Sequence, residues 1–80
     1  MKNDIKKRNL PNKKKLLNSK WTAIKPENKE KHFNVTKVIL SEDDPQVVLY
    51  IILTAILTSK DYKISYRDLE REDQWMQGWF

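Results

Sequence analysis

Apolar and polar residues alternate along Tyr62-Lys63-Ile64-Ser65-Tyr66, and this period of two is the clearest strand signal in the chain. Earlier, Lys20-Trp21-Thr22-Ala23-Ile24 reads as a short strand that ends before Lys25-Pro26. Pro26 biases Lys25 towards an extended backbone, and the polar run Glu27-Asn28-Lys29-Glu30 predicts a loop. A second strand is expected over His32–Leu40, with Phe33, Val35 and Ile39 on one face and Lys37 interrupting it at an edge or bulge. Ser41-Glu42-Asp43-Asp44-Pro45 predicts a turn, since Asp side chains bond local amides and Pro fixes φ. Ser59-Lys60-Asp61 predicts another. Arg67–Asp73 is rich in charge with Leu69 as its one anchor, which suits a single helical turn. Gln74–Phe80 then reads as a last strand or extended tail, and Gly78, the only glycine, marks a bulge or a close backbone approach.

Two patterns compete over Gln46–Thr58. Asp44 as N-cap, Pro45 at the first helical position and Lys60 beyond the end suit a helix. Against this, seven of the thirteen residues are β-branched, and apolar residues run round every side of a helix drawn there. A long strand, buried on both faces and bending to serve two sheets, is the favoured expectation. Five short strands with a helical turn before the last predict a mainly β domain, a small SH3-like five-stranded barrel, because closure removes exposed edges. A three-stranded antiparallel meander with one helix across it is the alternative.

Charge changes this picture by dividing the chain. Residues 1–15 hold seven Lys/Arg against Asp4 alone, a net +6. The remaining residues hold nine cations and ten acids, a net −1. With only Met1, Ile5 and Leu10 as apolar residues, the first fifteen positions predict a flexible, disordered basic arm, and 16–80 the compact domain. Eighty residues make at most one domain and bury a modest core, and with no cysteine nothing staples it covalently. Its eight aromatics must supply the packing. The longest apolar stretch, Val47 to Leu57, is shorter than the ~20 residues of a membrane helix, and no signal-like run follows the basic start. A cytoplasmic protein without a membrane partner is expected.

Composition also limits the chemistry. One histidine and no cysteine leave histidine-based triads without support, and a single glycine rules out a glycine-rich phosphate loop. Glu42-Asp43-Asp44 reads as a solvated turn rather than a cation site. No enzyme, cofactor or metal is expected. Cations and tryptophans remain. Lys6, Lys7, Arg8, Lys13, Lys14 and Lys15 of the arm, with Lys20, Lys25, Lys29 and Lys31 round the first strand, are the candidate nucleic-acid contacts, a continuous basic track beside Trp21. Trp75 and Trp21 are the candidate stacking or interface residues. Core packing competes for every tryptophan and leads for Trp21 and Trp79.

Asn18-Ser19-Lys20-Trp21-Thr22-Ala23, then Lys25 to Phe33, then Tyr66-Arg67-Asp68-Leu69 and Gln74-Trp75-Met76-Gln77-Gly78-Trp79 resemble a family of small tryptophan-rich bacterial proteins of unknown function. The likeness spans roughly residues 14–80, with Tyr66 where the family often carries another tryptophan. It implies a bacterial cytoplasmic protein and leaves the basic arm outside the shared region. It implies no activity or catalytic residue. The expected function is therefore non-enzymatic RNA binding, in a ribosome or another ribonucleoprotein. The alternative is a protein-interaction module or homodimer using Trp75, Met76, Trp79 and Phe80 or the apolar strand.

Overall fold

The computed structural model describes residues 11–80. Along them run helix α1 (Lys13–Leu16), strands β1 (Lys20–Glu27), β2 (Glu30–Leu40), β3 (Val48–Ala55) and β4 (Asp61–Ser65), a 3-10 helix (Tyr66–Glu70) and β5 (Trp75–Gln77). The strands form one antiparallel sheet in the order β4-β3-β2-β1-β5. The domain is mainly β, as its alternation predicts, but the sheet is open and the expected barrel does not form. β4 and β5 are its two edges, and with only five and three residues they leave the seam between them unpaired.

β1 runs on through Lys25-Pro26 instead of stopping before them. Pairing with β5 ends at Ala23↔Trp75, so Pro26 lies where one side of β1 is an edge and a missing N–H is tolerated. The expected loop shrinks to Asn28 and Lys29, closed by the Glu27↔Glu30 pair. Both have positive φ, 56° and 65°, the mark of a two-residue type I′ hairpin turn.

β2 carries a bulge between Val35 and Lys37. The extra residue flips the pleat, so Val38 rather than Ile39 follows Phe33 and Val35 onto the core face. Within 46–58, Val48–Ala55 is strand, with Ile51, Leu53 and Ala55 buried and Tyr50 open to solvent. It therefore serves one sheet with one face, not two sheets. Ser41–Pro45 is the expected turn: Ser41 Oγ accepts from the amides of Asp43 and Asp44, and Asp44 Oδ1 from that of Gln46.

The core is the inner face of the sheet, Trp21, Phe33, Val35, Ile51, Leu53 and Ala55, covered by Leu16 and Leu69. Those two explain the flanking turns. Leu69 anchors the 3-10 helix, whose start Ser65 caps by accepting from the Arg67 amide. Leu16 anchors α1, and Asn12 caps it by accepting from the Lys15 amide at 3.0 Å. Lys13–Lys15, at the end of the expected basic arm, thus stand in α1. Tyr66 Oη ties the same segment down by donating to the Pro11 carbonyl. Lys6, Lys7, Arg8 and the rest of 1–10 lie outside the described residues.

Candidate nucleic-acid interface

The strand register sorts the side chains onto two unlike faces. Partners across a ladder share a face, so Trp21↔Phe33, Val35↔Leu53 and Val38↔Ile51↔Ile64 define the inner one. Lys20↔Asn34↔Thr54, Lys37↔Ile52↔Lys63 and Ile39↔Tyr50 then lie on the outer one. Both helices pack on the inner face through Leu16 and Leu69, and the C-terminal turn lies on the outer one.

That turn begins at Gly78, whose φ of +98° reverses the chain. Its N–H donates to the Lys20 carbonyl, and its own carbonyl accepts from Thr22 Oγ1 at 2.7 Å. Trp79 is thereby laid on the outer face, with Nε1 donating to the Phe33 carbonyl at 2.8 Å. The Lys20 ammonium stands 5.2 Å from its ring centroid, and the His32 ring lies 5.9 Å away. His32 Nε2 donates to the Phe80 carbonyl at 2.7 Å, which locks the turn against β2. Trp79 remains 41% exposed, so it is not the core residue expected.

A second pair lies farther along the same face. The Lys63 ammonium sits 4.5 Å from the centroid of Tyr50, itself 41% exposed. Between the pairs runs a polar chain, Thr36 to Thr54 at 2.8 Å and Thr54 Oγ1 donating to Asp61 Oδ1 at 2.6 Å. Phe33, beneath Trp79, and Ile39, opposite Tyr50, are six residues apart on β2. The two cation–aromatic pairs therefore stand ~20 Å apart at ~3.3 Å per residue.

The expected basic track is divided. Lys13 Nζ donates to the Pro45 carbonyl in the β2–β3 loop, while Lys29 occupies the turn at the other end of β2. Some ten residues of strand, ~33 Å, separate those ends. Lys25, Lys29 and Lys31 are exposed round the hairpin, and of the four cations expected there Lys20 alone joins an outer-face aromatic. Trp21 is fully buried, with Nε1 donating to Ser19 Oγ, so no base can stack on it. Trp75 is half-buried at the inner face, edge-on to Phe33 at 5.3 Å. Tyr50, Lys37 and Lys63 escape a reading of charge runs. Alternation alone turns Lys63 to solvent, but its place over Tyr50 depends on register.

The inner face holds a cavity of about 240 Å³ in the open seam, bounded by Ile64 and Tyr62 of β4 and Trp75 of β5. Glu30 lies against it, and its carboxylate accepts from Thr58 Oγ1 and from Tyr62 Oη. These donors hold Glu30 below the usual carboxylate range, Thr58 first, and the same bond raises the Tyr62 phenol. No group of His, Cys, Asp and Glu suited to a metal occurs among the described residues, and no helix there is long and apolar enough to cross a membrane.

No curated protein and no solved structure matches the chain. The pattern of a tryptophan-rich protein family, DUF2389, matches residues 19–79, which takes in the whole sheet, the Gly78-Trp79 turn and all three tryptophans. The chain belongs to this tryptophan-rich family.

Proposed function

We propose that the protein binds RNA across the outer face of its sheet, with the cations of residues 1–15 adding attraction to phosphate. The observation that carries this is the repeated pairing of a lysine with an exposed aromatic ring, Lys20 with Trp79 and Lys63 with Tyr50, on a face that no other described element covers. An exposed ring offers a π-surface to an unpaired base, and an ammonium beside it offers a phosphate contact. Lys37 adds a third cation between the pairs. Unpaired bases suit this platform better than a duplex, since no described helix is long enough to enter a major groove. A cytoplasmic ribonucleoprotein, the ribosome first, is the setting that fits. Attraction resides in the arm and base contact in the sheet, and no chemical step is required.

Titration of the full chain into labelled single-stranded RNA tests this. With about five phosphates engaged, affinity falls roughly a hundredfold between 50 and 200 mM salt. Tyr50→Ala weakens binding by roughly fivefold to a hundredfold, the range of one lost stack. Lys63→Glu weakens it and lowers the salt slope. Removal of residues 1–10 lowers affinity while leaving α1 and its cap in place. Binding indifferent to salt and to both outer-face variants would sink the proposal, and cosedimentation with ribosomes with and without the arm then separates the ribosome from other RNA. A protein-interaction or homodimer role draws on Met76 and Phe80, exposed beside Trp79. Nuclease-resistant capture and a size that grows with concentration distinguish it.

A further inference from the structure

We propose that the inner cavity is a binding site for an organic cation, an ammonium or guanidinium group on an aliphatic stem, with Glu30 as its charge partner and Phe33, Tyr62 and Trp75 as its walls. Glu30 is only 4% exposed, yet the groups that donate to its carboxylate are the neutral hydroxyls of Thr58 and Tyr62. The ion pairs among the described residues, Arg67–Glu70 and Arg71–Asp73, lie elsewhere. A buried carboxylate is costly unless its charge is matched, and two neutral hydroxyls match it only in part. Lys60 adds a favourable field but forms no ion pair with the carboxylate, which leaves direct contact to a cation from outside. Lys25 and Glu27 both line the cavity and both are exposed, so at its rim they cancel and the net charge is that of Glu30.

The walls fit the same ligand. Phe33 meets Tyr62 at 72° and Trp75 at 83°, with centroids 6.1 and 5.3 Å apart, so three rings stand as a corner rather than a stack. Ring faces carry the negative end of the quadrupole and attract a cation. Ile64 and Leu53 offer apolar surface to the stem. At about 240 Å³ the cavity falls below the ~300 Å³ at which drug-sized sites begin, so it takes one side-chain-sized group. The ligand is a free alkylamine or guanidine, or the lysine or arginine side chain of a partner peptide.

The full chain is titrated with agmatine, with a blocked pentapeptide carrying one central arginine, and with pentanol as an uncharged stem, following the indole resonances of Trp75 and Trp79. Saturable shifts at Trp75 with Trp79 unmoved, and pentanol at least tenfold weaker, are expected. Tighter agmatine assigns the site to a free amine, and a tighter peptide assigns it to a partner's side chain. Glu30→Gln, with its amide spectrum otherwise unchanged, lowers affinity at least tenfold. Should that variant fail to fold, Lys25→Met on the exposed rim serves instead and tightens binding severalfold. No saturable shift at Trp75, equal binding of pentanol, undiminished affinity in a folded Glu30→Gln protein, or no gain in Lys25→Met overturns the proposal. The cavity and the RNA face lie on opposite sides of the sheet, so neither result bears on the other.

Discussion

At the scale of single residues, Glu30 links the packing of the domain to pH. Thr58 and then Tyr62 donate to its ionised form, and Lys60 adds a favourable field, which together outweigh the effect of burial. Its folded pKa is therefore below the unfolded value of about 4.3, so its contribution is present above that pH and lost as pH falls through the lower folded value. Tyr62 runs the other way. Its pKa is raised, first by the bond to Glu30, so its contribution is present below about pH 10 and lost as pH rises through the folded value. Thermal melts followed by circular dichroism between pH 3 and 11 should show a plateau that falls at both ends. Subtracting the Glu30→Gln profile from that of the parent isolates the acid limb, and subtracting Tyr62→Phe isolates the alkaline one. Parent and Glu30→Gln curves of the same shape below pH 5 would show that Glu30 contributes nothing to the decline.

At the scale of elements, the β1–β2 hairpin carries strain that one substitution should relieve. Asn28 tolerates a left-handed backbone because its short amide bonds locally, whereas Lys29 at φ 65° bears the cost for an ordinary side chain. That cost is roughly 1–2 kcal/mol, offset in part by the extra unfolded-state entropy of glycine. Lys29→Gly completes the preferred Asn-Gly turn and should raise stability by about 0.5–1 kcal/mol, a gain of a few degrees in melting temperature. Unchanged or lower stability in urea titrations would mean that the turn relaxes in solution. The same hairpin shows what was legible in the sequence. The alternation in β2 and β4, the acidic turn at Ser41–Pro45 and the turn round Leu69 are local signals, and each lies where the pattern puts it. β-Branching settles β3 as strand for the same reason. The tight turn was hidden because Glu27–Glu30 looks like polar loop, and the face of Val38 because a bulge shows only in the pairing.

At the scale of the whole molecule, the open sheet leaves two unlike faces accessible, where closure would have sealed the inner one. Its inner face holds the core and the cavity in the unclosed seam, and its outer face holds the two lysine–aromatic pairs. Neither division is legible along the chain, since a tryptophan's place depends on long-range register. Trp21 is core because it pairs with Phe33 on the inner side, and Trp79 is not because Gly78 turns the chain over the sheet. Gly78 is thus the residue on which the outer face depends. Any Cβ there would stand 3.2 Å from the Phe80 ring, on a backbone at φ +98° that side chains rarely adopt. Relaxing that conformation withdraws the bonds from Gly78 to Lys20 and Thr22 and the seat of Trp79 on Phe33. Gly78→Ala should cost roughly 1–3 kcal/mol of stability and free Trp79 to solvent, seen as a red shift of its fluorescence. RNA affinity should fall severalfold with the loss of the Lys20–Trp79 pair, while amine binding beside Trp75 should persist because the inner face is untouched. If the substitution instead leaves Trp79 emission and RNA affinity unchanged, the C-terminal turn is no part of the interface, and base contact rests on Tyr50 and Lys63 alone.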